Sequence, residues 1–222
     1  MDRAKTPRYY RMRERVVDVA VELFSRNGYA DTGVADLGTA TGLARGALYY
    51  YIGSKEALLV EIHNRVMDPL LAEAAAIAEL EMDFVTRLRL LSESLLWQIV
   101  NRQDHVWVFL HEYRQLQGED RVEFREKRKR FETHIRDVLD EGHEQGMLRV
   151  PDLELATLAF LNLHNYTYQW LGRRKELAVE DLAGFYCELF LRGVLDGAID
   201  HAVVRGELEQ GRSILRGLRS AG

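Results

Sequence analysis

From Asp31 to Leu58 the chain reads DTGVADLGTATGLARGALYYYIGSKEAL, and its residue types suit recognition better than bond-making. Arg45 carries a planar fork of N–H donors, the group that reads a guanine edge. Thr32 and Lys55 suit phosphate oxygens, and Tyr49 and Tyr50 suit backbone or base-edge contacts. Ala44, Gly46 and Ala47 are small enough to let a helix approach a nucleic acid closely. The competing reading is an ordinary pair of surface helices with Tyr49, Tyr50 and Tyr51 in a core.

Such residues must be held by two short helices across a tight turn. Thr32 is an expected N-cap for a helix over 34–40, and Gly42 is placed to turn the chain. A second helix is expected over about 44–50, stopped by Gly53, with Ser54 capping the next. This is a helix-turn-helix pattern, whose second helix enters a major groove. Val16, Ala20, Leu23 and Phe24 lie at i, i+4, i+7 and i+8, predicting a bracing helix from about Tyr10 to Asn27, closed by Gly28. Ahead of it, Arg3, Lys5 and Arg8 form a basic arm, either for a minor groove or phosphates or simply solvated.

A net charge of −5 argues at first against a polyanionic partner. Residues 1–55, however, hold nine Lys/Arg and six Asp/Glu (+3), leaving 21 and 29 (−8) for the remainder. A basic head on an acidic body fits DNA binding. The single cysteine, Cys187, forms no internal disulfide. No signal-like or membrane-spanning run is present, so the cytoplasm is the expected compartment, with no membrane partner. No phosphate-cradling loop or metal spacing is present, so no cofactor, no metal and no catalytic residues are expected.

Beyond residue 55 every pattern is helical. Apolar stripes predict helices over about 55–82, with a kink or break at Pro69, then 84–101, 106–116, 120–145, 152–170 and 179–196, and a weaker one over 201–222. The fold class is therefore all-α: a three-helix DNA-binding domain over 1–54 and a helical ligand-binding and dimerisation domain over 55–222. Leu161, Tyr168, Leu182, Phe185, Tyr186, Leu189 and Phe190 are more apolar surface than one copy easily buries. Pairing helices 152–170 and 179–196 with their copies makes a homodimer whose two reading helices meet major grooves about 34–36 Å apart. Polar residues set into apolar helices suggest a pocket: Trp107, His111 and Tyr113, with Phe131 inward on the next helix, and His164, Asn165 and Tyr168. Each of these is equally readable as a satisfied core or interface polar group.

Residues 10–59 resemble the DNA-binding domain of the TetR family of transcriptional regulators. The resemblance rests on Gly28-Tyr29, Thr32, Gly42-Leu43, Gly46, Leu48 to Tyr51 and Ser54 to Leu58. Where that family usually carries hydroxyls, this chain has Gly33, Ala44 and Ala47, so Arg45 and the tyrosines must carry more of the contact. More loosely, 111–194 resembles the regulatory domain of family members that control fatty-acid and sterol catabolism in response to acyl-CoA thioesters. The resemblance implies a dimeric repressor, released from a palindromic operator by an apolar effector such as an acyl-CoA. The rival readings are an acyl-CoA-binding protein without specific DNA recognition, motivated by the missing hydroxyls, and an all-helical enzyme using His111 or His164.

Overall fold

The computed structural model describes residues 6–171, 177–194 and 200–221, among which there is no strand. The helices are α1 (Pro7–Asn27), α2 (Val34–Thr41), α3 (Arg45–Ile52), α4 (Lys55–Ala78), α5 (Phe84–Asn101), α6 (Gln103–His111), α7 (Gly118–Glu144), α8 (Leu153–Asn165), α9 (Val179–Val194) and α10 (His201–Ala221). Single 3-10 turns cover Tyr113–Gln115 and Thr167–Gln169. Thr6 caps α1 through its side chain with Pro7 in the first turn, so α1 begins three residues before the expected Tyr10. The helices expected over 106–116 and 152–170 each give way to a 3-10 turn near their ends. Pro69 lies inside α4 without breaking it. Arg3 and Lys5 of the basic arm, and residues 195 and 196 of the expected ninth helix, lie outside the described residues.

The chain forms two compact units. One takes the chain up to Val66 together with Gln103–Arg125; the other takes Met67–Arg102 and the chain from Glu126 onward. This partition differs from a division at residue 54, because α6 packs on α1 and shares its unit. In the first unit, α1, α2 and α3 close around Val16, Ala20, Phe24, Leu37 and Leu48, all with no exposed surface. In the second, α5 is the central helix, packed chiefly on α9 and also on α8 and α10. Its crossings are tight: a Cβ on Gly211 of α10 would stand 2.5 Å from Leu90 of α5. Cys187 on α9 is buried, with its Sγ against the Leu88 carbonyl of α5.

Two bidentate ion pairs fasten α10. Arg212 grips Glu93 of α5 at 3.0 and 2.7 Å, and Arg219 grips Glu73 of α4 at 3.0 and 3.1 Å. The apolar surface expected to pair with a second copy divides in two. Phe185 (62% exposed) and Leu189 (54%) do face solvent, but Tyr168, Leu182, Tyr186 and Phe190 are buried within the unit. Leu155, Leu158 and Tyr166 extend the exposed apolar set on the α8 side.

Candidate nucleic-acid interface and effector site

The reading helix is oriented by two anchors. Leu48 and Ile52 point into the head, which leaves Ala44, Arg45, Gly46 and Ala47 on the outer face. Tyr50 is 64% exposed. The Arg45 guanidinium lies 5.7 Å from the centre of the Tyr49 ring, which extends the fork along the helix surface. A Cβ added at Gly46 would meet nothing within 4 Å. No internal packing demands glycine there, although glycine inside a helix costs roughly 0.5–1 kcal/mol relative to alanine.

The tyrosine run is held from α1. Tyr9 is buried and packs against Tyr10, Tyr50 and Tyr51 at 5.3–5.5 Å, and its hydroxyl donates to the Tyr51 carbonyl. Tyr49 and Tyr51 are half-buried, and Tyr50 keeps one side against Tyr9 and the other in solvent. Arg13 of α1 holds Glu61 of α4 through two bonds of 3.0 and 2.9 Å. That pair lowers the Glu61 carboxyl below its ordinary range, the Arg13 hydrogen bond being the main cause.

Two expected phosphate contacts have other roles in this structure. Thr32 is fully buried and is not the N-cap of α2; Gly33 is. The Thr32 hydroxyl donates to the Gly28 carbonyl at 2.8 Å, bracing the end of α1, while Asp36 accepts from the Gly33 N–H. The Thr32 side chain therefore stabilises the α1–α2 corner and faces away from solvent. Lys55 donates to the Tyr29 carbonyl and sits 3.9 Å from the centre of the Tyr29 ring. Ser54 does cap α4, accepting from Ala57 N–H at 3.0 Å. Burial, then Glu56, push the Tyr29 phenol up to about 12.

A contact that sequence reasoning missed fixes the same corner. The Tyr29 N–H donates to Glu112 Oε1 at 3.1 Å, across 83 residues, so the end of α6 holds the α1–α2 corner. No local pattern signals it. Beside it, His63 of α4 is enclosed by Phe109 and Phe124, at 5.7 and 5.0 Å. Its Nδ1 lies 2.8 Å from the Leu59 carbonyl, whereas its Nε2 is buried without a partner. Burial pulls this imidazole down to about 4.

The seven expected effector residues divide between the units. In the first, Trp107 and His111 stack at 4.4 Å with His111 exposed, and Tyr113 stacks on Phe124 at 5.9 Å. In the second, Phe131 is core, Asn165 is half-buried, and the Tyr168 hydroxyl accepts from Gln169 at 2.7 Å. His164 is a satisfied core histidine. Its Nδ1 meets the Phe160 carbonyl at 2.7 Å, its Nε2 meets Ser92 Oγ at 2.6 Å, and burial lowers it to about 4. Neutral imidazole fits this placing: one nitrogen donates and the other accepts. Among the described residues no group of His, Cys, Asp and Glu is arranged to hold a metal ion, and no helix is long and apolar enough to cross a membrane.

Comparison with known proteins agrees with this architecture. The model of bacterial regulatory proteins of the tetR family matches residues 16–62, and that of the tetracyclin repressor-like C-terminal domain matches 81–194, about half the chain. The transcriptional repressor KstR2 of Mycobacterium tuberculosis is 25% identical over 186 residues, covering 82% of this chain and 92% of its own. The structure of the regulator PfmR from Thermus thermophilus aligns with a TM-score of 0.73 at 32% identity, over 80% of this chain and 97% of its own. AibR, solved with isovaleryl coenzyme A and operator DNA, aligns with a TM-score of 0.70 at 24% identity, over 80% and 97%. With its head and half its length matched in this way, the chain belongs to the TetR family and is a DNA-binding transcriptional regulator.

Proposed function

We propose that the protein is a homodimeric cytoplasmic repressor that holds a palindromic operator and releases it on binding an acyl-CoA. The observation that carries the DNA half is the outer face of α3: Arg45 beside small residues, with a glycine at 46 that nothing inside the protein requires. In this reading Arg45 reads a base, Tyr49 and Tyr50 contact the backbone or base edges, and Ala44 and Gly46 allow the approach. Lys55 contributes by fixing the Tyr29 corner and by adding positive charge there. The exposed Leu155, Phe185 and Leu189 are the surfaces that two copies would cover.

The effector class is supported by AibR, solved in complex with isovaleryl coenzyme A and operator DNA. The apolar wall of Phe109 and Phe124, with the unpartnered Nε2 of His63 between them, suits an acyl chain bearing one polar group. An acyl-CoA acts as inducer only if it prefers the form that fits DNA poorly. The test is selection of bound sequences from random DNA, followed by titration of the recovered site with a panel of acyl-CoA thioesters. A palindrome released by one member of the panel is the expected result. Enrichment of no sequence would favour the rival reading, an acyl-CoA-binding protein without specific DNA recognition.

A further inference from the structure

A cavity lined by none of the residues assigned above lies in the unit built around α5. Residues of α4 and the ends of α5 and α10 line this partly open cavity of about 240 Å3. Its wall includes Glu73, Trp97, Gln98, Arg102, Leu218 and Arg219. α10 falls beyond the segment matched by the family's C-terminal model, 81–194.

The lining is built for a polar guest. Gln98 is 1% exposed, and neither its Nε2 nor its Oε1 has a hydrogen-bond partner. A buried carboxamide left unpaired at both ends costs about 1–3 kcal/mol per group, and such a group is ordinarily found paired. The charges are arranged around one indole. Arg219, neutralised by Glu73, lies 4.8 Å from the Trp97 ring centre, and Arg102 lies 5.9 Å from the same ring. The lining side chains thus carry two guanidinium groups and one carboxylate. Trp97 adds a flat aromatic surface, and Gln98 offers a donor and an acceptor side by side.

We propose that this cavity binds a small hydroxylated aromatic carboxylate. The ring lies against Trp97, the carboxylate accepts from Arg102 and Gln98 Nε2, and the hydroxyl donates to Gln98 Oε1. The volume suits a single substituted ring. The site therefore differs in chemistry from the effector site proposed above and does not depend on it.

The test is calorimetric titration of the full-length protein with salicylate, 4-hydroxybenzoate and benzoate. Salicylate, whose hydroxyl adjoins its carboxylate, should bind with one site per chain, about tenfold more tightly than 4-hydroxybenzoate or benzoate, which leave Gln98 Oε1 unpaired. Gln98→Leu removes the unpaired amide at similar volume and should keep or raise the melting temperature while weakening binding at least about tenfold. Should that variant fail to fold, Arg102→Met at the cavity wall gives the same reading. His63→Phe, in the other unit, should leave salicylate binding unchanged. Absence of binding by all three acids, or affinity unchanged in both Gln98→Leu and Arg102→Met, overturns the proposal.

Discussion

Gly46 sets two quantities against each other. Its missing Cβ faces open space, so the protein gains nothing from glycine at that position. Gly46→Ala should therefore raise stability by roughly 0.5–1 kcal/mol. If α3 lies in a groove, the same methyl should weaken operator binding, by about tenfold or 1.4 kcal/mol. Urea unfolding and operator titration on one preparation check both signs; a variant that is more stable and binds equally well shows that α3 needs no close approach there. A second residue-scale consequence concerns acid, through His63 and His164, both held near 4 by burial. The unfolded chain takes up these protons first, around 6.5. Stability from the neutral rings is thus complete above about 6.5 and is lost as pH falls toward 4, by up to about 3 kcal/mol for each ring. Melting temperatures at pH 7 and pH 5 should show the fall, and the pair His164→Leu with Ser92→Ala should remove roughly half of it.

At the scale of elements, the corner between α1 and α2 is braced by Thr32 from within, Lys55 from α4 and Glu112 from the end of α6. Glu112→Ala leaves the N–H of the buried Tyr29 without its acceptor, at a cost of about 1–3 kcal/mol. Glu112→Gln keeps a side-chain carbonyl and should lie much closer to the parent. Hydrogen exchange at the Tyr29 amide, faster in the first variant than in the second, reads this locally. This brace also marks where sequence reasoning stops. The span of α5, Phe84–Asn101, is legible from its apolar stripe, as are Gly42 as a turn and Ser54 as a cap. Thr32 departs from its expected capping role because N-cap preference is local, whereas its hydroxyl is claimed by a carbonyl at the end of the previous helix. The Glu112–Tyr29 and Ser92–His164 contacts, 83 and 72 residues apart, depend on how helices meet and leave no periodic trace.

At the scale of the whole molecule, the prediction concerns assembly. α9 is apolar on more than one side, so sequence alone could not separate Tyr186 and Phe190, which are buried, from Phe185 and Leu189, which are exposed. An aspartate at each exposed position costs little in one copy but places like charges in the middle of a two-fold contact. Phe185→Asp combined with Leu189→Asp should sediment as a monomer with an unchanged melting temperature. Its affinity for a full palindrome should drop to that for a half-site. A dimer that survives both changes would put the contact on another face.

Cys187 gives the protein an internal clock. Burial against α5 pushes its thiol up to about 12, so at pH 8 the folded protein presents almost no thiolate to an external disulfide. Reaction with such a reagent must wait until α9 parts from α5. At high reagent concentration its rate then counts how often the body opens, and a ligand that clamps these helices should slow the count without any change in the reagent.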